Sequence, residues 1–346
     1  MTGSRKWDLD VIRIAACYFV ILIHVLADTG EITQARSVDW VIYHVFTCIV
    51  RCAVPVFFML SGVLFMEKKV SVKQLYTKYV LRIVVSLIAW SVFYAWIDYI
   101  KDGNGNLRYF IIRVLSRHYH LWFLPAVLGV YICLPVLQQL ILTGSQSLIR
   151  YTGVVVLVVI IGKTTLDPFL DYFFNPAVWN SFWRDMGLSD VSTGIIFFVL
   201  GYYLYKYREN ISCKWCLGLS SLMIFLMSVL DMFFSLKIGE HTGFSGDLLS
   251  IWVTVFSAAV FVLMCRILSD YRPEKRMGRM LRTMSECTFG IYLVHVFLLE
   301  SLYPFFQAAK ISYVFFILSF SAVLFFISFG VVWCIRRIPL AGKWIV

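Results

Sequence analysis

The stretch Asp8-Leu9-Asp10-Val11-Ile12-Arg13-Ile14-Ala15-Ala16-Cys17-Tyr18-Phe19-Val20-Ile21-Leu22-Ile23-His24 decides how the rest of the chain is read. It opens an apolar run of membrane-spanning length, yet it carries an arginine near one end and a histidine well inside. At about 100° per residue, the steps from Arg13 to His24 return to almost the same azimuth. The two side chains therefore share one helix face, roughly 16 Å apart along the axis. A charge and a titratable imidazole on one stripe of a membrane helix are costly, which makes the stripe a functional hypothesis by default.

The composition around this stretch agrees with a membrane setting. The chain has 346 residues, 60% of them hydrophobic and only 15% charged. Its mean hydropathy is +0.81, far more apolar than a soluble domain needs. The apolar runs are continuous and do not alternate, which argues for helices and against a β-barrel. The reading is an all-α, polytopic integral membrane protein forming one transmembrane domain over residues 1–346. About ten spans are expected: Leu9–Leu26, Trp40–Met66, Tyr79–Ile100, His120–Leu142, Tyr151–Leu170, Val191–Tyr207, Leu217–Leu236, Leu248–Leu268, Cys287–Phe306 and Tyr313–Ile335. No cleavable signal peptide is expected, since the first apolar run is too long and lacks a small-residue cleavage site.

The net charge of +11 points to lipid head groups and not to nucleic acid, because its distribution follows the loops. Arg5-Lys6, Lys68-Lys69, Lys73, Lys78, Lys206, Arg208, the cluster Arg272 to Arg282, Arg336-Arg337 and Lys343 fall on one side. Roughly twenty basic residues lie on that side against roughly nine on the other, which makes the rich side cytoplasmic, with both termini there. The outer segment Asn106 to His118 opposes the rule with Arg108, Arg113 and Arg117. Its spacing fits an amphipathic helix on the outer interface, either a surface attachment or a lid. Longer outer loops hold Tyr172, Trp179, Trp183 and Arg184, then Glu240 and His241; such aromatic residues are interfacial anchors or stacking platforms for sugar rings. The nine cysteines are scattered, mostly within apolar runs, and read as small hydrophobes. Cys213 and Cys216 are spaced C-x-x-C without a second pair, so no metal site is expected.

Several polar side chains fall inside the expected spans: Arg13 and His24, His44 and Arg51, Arg82, Asp98, His120, Asp231, His295 and Glu300. Intramembrane charges face the bundle interior and pair with one another. His24 is the leading acid–base candidate, because imidazole accepts or donates a proton near neutral pH. Arg13 and Arg82 lie toward the cytoplasmic face, where guanidinium groups suit a phosphate-bearing ligand and Lys78 adds charge. In the second span, Pro55 and Gly62 suggest a kink and the close approach of another helix or of a ligand.

Five motifs in order complete the picture. They are Arg13 and His24 with ten residues between them, Pro55-Val56-Phe57-Phe58-Met59-Leu60-Ser61-Gly62, His120-Leu121-Trp122-Phe123-Leu124, Phe197-Phe198-Val199-Leu200-Gly201-Tyr202, and Ser285 followed by Phe289-Gly290-Ile291-Tyr292-Leu293-Val294-His295. Together they resemble the membrane acyltransferase-3 family, with a layout similar to that of bacterial sugar O-acetyltransferases of the enterobacterial-common-antigen type. The resemblance implies a bacterial cytoplasmic-membrane enzyme that moves an acetyl group from cytoplasmic acetyl-CoA to a hydroxyl of an outer glycan or lipid-linked acceptor. It implies His24 as base or transient acetyl carrier and Arg13 as the residue that holds the donor or orients the site. Arg13, Lys78 and Arg82 would face acetyl-CoA, while His44, Arg51, His120, His295 and Glu300 form a supporting polar core. One departure is plain: family members often carry R-x-x-R near the start of the third span, and here Tyr79 takes the earlier position with only Arg82 retained. The membrane half of vancomycin-resistance serine racemases is similar in layout, so an amino-acid module with a fused or partner domain beyond the C-terminal end is the alternative. On the leading reading, Arg13 and His24 mark two ends of one donor channel and need not touch.

Overall fold

A computed structural model describes residues 5–30, 33–102, 106–173, 190–307 and 312–346. The described residues form helices and connecting turns, with no strand among them. In chain order the helices are α1 (Trp7–Thr29), α2 (Val38–Val50), α3 (Ala53–Phe65), α4 (Val72–Lys101), α5 (Leu107–Ser116), α6 (Tyr119–Thr143) and α7 (146–173). They continue with α8 (Asp190–Tyr207), α9 (Cys213–Ile238), α10 (Ile251–Ile267), α11 (Lys275–Gln307), α12 (Tyr313–Ile335) and the short α13 (Pro339–Trp344).

Among the described residues, seven helical segments are long and apolar enough to cross a membrane: α1, α2 with α3 as one span, α4, α6, α9, α11 and α12. They coincide with the first four expected spans and with the seventh, ninth and tenth. The eighth is α10, a shorter apolar helix. The fifth and sixth are helical in α7 and α8 but do not reach the same length and apolarity. In α7 the reason is visible, since Lys163 and Asp167 pair one turn apart within it. The loop expected on the outer side, with Trp179, Trp183 and Arg184, lies outside the described residues.

The second expected span is two helices, not one. Its N-terminus is capped by Ser37, whose Oγ accepts a hydrogen bond from the Trp40 N–H at 3.0 Å. The break falls at Arg51-Cys52. Pro55 has no N–H to donate to the Arg51 carbonyl four residues earlier, so the helical ladder loses a rung there. The next rung is restored by Val56 N–H to Cys52 O at 2.9 Å. The sequence left a kink and a close approach open for this span. The structure assigns the proline to the break and the glycine to packing. A Cβ on Gly62 would overlap the Phe198 carbonyl oxygen, and one on Gly201 would overlap the Met59 backbone. Helices α3 and α8 thus meet backbone to backbone at small residues, the way membrane helices gain van der Waals contact without a hydrophobic driving force.

Helix α1 is the hub. It packs against α2, α3, α10, α11 and α12. Two apolar cores flank it, one built with α4, α11 and α12 around Ile291, Leu293 and Phe320. The other is built with α3, α8 and α10 around Phe58, Phe198 and Phe261. Phe57, Phe123, Val127 and Tyr131 border both cores, and the space between the cores is where the polar side chains of the membrane segments gather.

Candidate active site

A cavity of about 740 Å³ runs between the two cores, within the size range of small-molecule sites. Its wall includes Arg13, Arg82, Glu286 and Arg336, and also His24, His120, Tyr43 and Arg51. Because Arg13 and His24 sit on one face of α1 roughly three turns apart, these two groups of residues occupy opposite ends of the same space. Among the described residues no hydrogen bond or ion pair joins Arg13 to His24.

At the arginine end, Arg13 Nη1 donates to Ser285 Oγ at 3.1 Å. Ser285 Oγ in turn donates to Asp10 Oδ1 at 2.6 Å. Asp10 also receives Arg5 Nε at 2.6 Å and lies 3.8 Å from Arg13. The Asp10 carboxylate, one turn back on α1, and the Ser285 hydroxyl of α11 therefore hold the Arg13 guanidinium. Glu286 is gripped by Arg282 at 2.8 Å and Arg336 at 3.2 Å, with Arg5 at 3.7 Å. Arginines outnumber carboxylates at this mouth, which suits a phosphate-bearing ligand. Arg82 lies over the Phe289 ring at 5.4 Å and spends one Nη2 bond, 2.7 Å, on the Val346 carbonyl. Ser86 and Trp90, one and two turns further along α4, donate likewise to the Trp344 and Ile345 carbonyls at 2.8 and 3.0 Å. Lys78 is exposed beside Tyr79 and does not line the cavity, whereas Tyr79 does.

The other end is a histidine cluster. The His24 ring lies 5.0 Å from His295, 5.6 Å from Tyr119 and 6.4 Å from His120, centroid to centroid. His24 makes no hydrogen bond among the described residues, so both its nitrogens are unengaged. His295 Nδ1 meets the Tyr292 carbonyl at 2.7 Å. That carbonyl only accepts, so the His295 proton sits on Nδ1 and the buried Nε2, which has no partner among the described residues, carries a lone pair. His120 is 1% exposed; its Nδ1 lies 2.8 Å from His118 Nδ1, and its Nε2 is also buried without a partner among the described residues. His118 reaches Glu300 at 3.5 Å, and Glu300 pairs with Lys101 at 2.7 Å.

Local backbone puts this cluster in place. Helix α5 is capped by Asn106, whose Oδ1 accepts from Tyr109 N–H at 2.9 Å, and it ends at Arg117, with φ 50° and ψ 162°. Few side-chain-bearing residues tolerate that conformation. It turns the chain sharply, so that His118 and His120 enter the bundle while Tyr119 between them stays exposed. The expected amphipathic helix is therefore present, tied to α4 by Arg113 and Asp98 at 3.6 Å, and its end carries the histidines inward.

Arg51, at the break between α2 and α3, lines the cavity wall. Its Nη1 binds Asp231 at 2.8 Å and Ser245 Oγ at 2.7 Å. The Ser245 N–H donates to the other Asp231 oxygen at 2.8 Å. The turn after α9 closes against this guanidinium, since a Cβ on Gly246 would come within 2.8 Å of Arg51 Nη2. His44 is buried beside Trp40, Tyr43 and His241, at 4.6, 5.2 and 5.6 Å between rings, and does not line the cavity. Among the described residues, no group of three or more His, Cys, Asp or Glu is placed to hold a metal ion, and all nine cysteines are free.

The structure thus brings Arg13, Arg51, Arg82, His24 and His120 to one cavity, with His295 and Glu300 behind it. Sequence reasoning missed four contributors: His118, the Asp10–Ser285 brace of Arg13, Asp231 as the partner of Arg51, and Arg336. A signal existed for one of them, because His118 precedes the motif histidine as H-x-H. The others depend on contacts between residues as much as 275 positions apart, which no spacing rule reads.

No curated protein and no solved structure matches the chain. A family model described as an acyltransferase domain matches residues 6–337. That match covers every helix that lines the cavity, and by it the chain belongs to the membrane acyltransferase-3 family.

Proposed function

We propose that the protein moves an acetyl group from acetyl-CoA, supplied at the cytoplasmic mouth, to a hydroxyl of a glycan or lipid-linked acceptor presented on the outer side of a bacterial cytoplasmic membrane. The observation that carries the reading is one cavity with arginines at one end and the unengaged imidazole of His24 at the other. Arg13, Arg82 and Arg336 would hold donor phosphates, and the pantetheine arm is of comparable length to the rise between Arg13 and His24. The thioester then arrives beside His24, whose unengaged ring acts as transient carrier: its nitrogen attacks the acetyl carbon, the C–S bond breaks, and the imidazole proton goes to the departing thiolate. An acceptor hydroxyl from the outer side takes the acetyl group from His24. The loop charges support this direction, with both termini cytoplasmic and ten spans in all, α7, α8 and α10 completing the set.

The test uses the full chain in membrane vesicles with acetyl-labelled CoA. Label is expected on His24 and then in the extracted glycans, and His24→Ala should carry neither while still inserting. Arg13→Ala should raise the KM for acetyl-CoA at least tenfold, because it removes donor binding, with a smaller effect on the later transfer. Unchanged transfer by His24→Ala overturns the reading. Protein that binds serine and leaves acetyl-CoA untouched would replace it with an amino-acid module.

A further inference from the structure

Resting on the carrier reading above, we propose that Glu300 and His118 set the proton state of His120, and that His120 is the base that activates the acceptor hydroxyl. The Glu300 carboxylate only accepts, so His118 presents Nε2–H to it across 3.5 Å. In neutral His118 the other nitrogen, Nδ1, is then an acceptor. It faces His120 Nδ1 at 2.8 Å, so His120 must donate from Nδ1. The lone pair of His120 is thereby left on Nε2, the buried atom without a partner among the described residues, on a residue that lines the cavity. The base nitrogen thus belongs to a residue of the cavity wall, and a charge-bearing third group orients the residue behind it, as base-orienting dyads require.

The second proton state explains why a histidine and not an amide stands at position 118. When His120 Nε2 takes the hydroxyl proton, its Nδ1 proton can pass to His118, which becomes an imidazolium against Glu300. An imidazolium on His120, 1% exposed, would be costly; moved to His118 it sits beside a carboxylate whose side chain is 30% exposed. Tyr94 stacks on His118 at 4.5 Å and 24°, and the Tyr292 hydroxyl donates to the His120 carbonyl, so both rings are held in register. The step balances. The acceptor oxygen bonds to the acetyl carbon as the C–N bond to His24 breaks, the hydroxyl proton goes to His120, and the proton returns to the His24 ring as it leaves.

Water is itself a hydroxyl acceptor, so the lifetime of acetyl-His24 in the full-length protein, loaded with labelled acetyl-CoA and freed of excess donor, reads the step directly. His118→Leu should load label on His24 normally and lengthen that lifetime about 100-fold, the usual worth of a positioned base. Hydroxylamine, a nucleophile that needs no base, should strip the label from wild type and variant at equal rates. His118→Asn, which keeps an acceptor oxygen within reach of His120 Nδ1, should recover part of the rate, and Glu300→Gln should fall between it and wild type. A wild-type lifetime in His118→Leu overturns the proposal and leaves the carrier reading standing, as does equal slowing of the water and hydroxylamine reactions, which marks a merely structural role. Wild-type protein that never carries label on His24 overturns the carrier reading, and this proposal with it.

Discussion

Asp231→Ala tests the bond between the histidine end of the cavity and the fold. The Asp231 side chain is 1% exposed and that of Arg51 10%. Truncating Asp231 removes the 2.8 Å ion pair and strands the Ser245 N–H that donates to its second oxygen. The remaining Arg51 charge keeps only Ser245 as a strong partner. Breaking one side of a buried pair costs about 3–5 kcal/mol. For a chain of 346 residues, unfolding entropy of about 2.1 cal/mol/K per residue converts this into a fall in Tm of roughly 4–7 °C. The assay is thermal unfolding in detergent, with Arg51→Met combined with Asp231→Leu as the comparison. The double variant should recover most of the loss, because no uncompensated charge is left inside. It should still fail to transfer, because Arg51 lines the cavity. A Tm within 1 °C of wild type for Asp231→Ala, or a double variant no more stable than the single one, refutes the reasoning.

Gly201→Ala should prevent assembly of α3 against α8, because its Cβ has no room against the Met59 backbone, whereas Gly218→Ala, with nothing within 4 Å, should be silent; the fraction of monodisperse protein recovered in detergent reads both. Arg117→Gly should keep or raise Tm by releasing a backbone conformation worth on the order of 1 kcal/mol, while Arg117→Val should lower it and slow acetyl transfer, since the turn that carries His118 and His120 inward is then disfavoured.

Much of the frame was legible without coordinates. Apolar run length and loop charge identify a polytopic helical protein, because a bilayer demands that every backbone group be satisfied within the span. The stripe shared by Arg13 and His24 follows from helical periodicity alone, and the structure puts both on one cavity wall, unjoined. What Gly62 meets did not follow: a glycine invites a close approach without naming the visitor, and here it is the Phe198 carbonyl of α8. Lys78 shows the reverse failure. Its charge and place beside Arg82 suit a phosphate, yet the π-helical turn Leu75–Val80 leaves Lys78 outside and brings Tyr79 to the cavity instead.

The division has one physical cause. Hydropathy and periodicity are properties of neighbours along the chain, so they determine that the segments cross a membrane and which side chains share a face. The partners of buried charges are chosen by helix packing: Asp10 and Ser285 for Arg13, Asp231 for Arg51, Glu300 and His118 behind His120. Those choices join residues up to 275 positions apart. They arise because a charge buried in the bundle must find a counter-charge or hydrogen bond somewhere, and only the tertiary structure decides where.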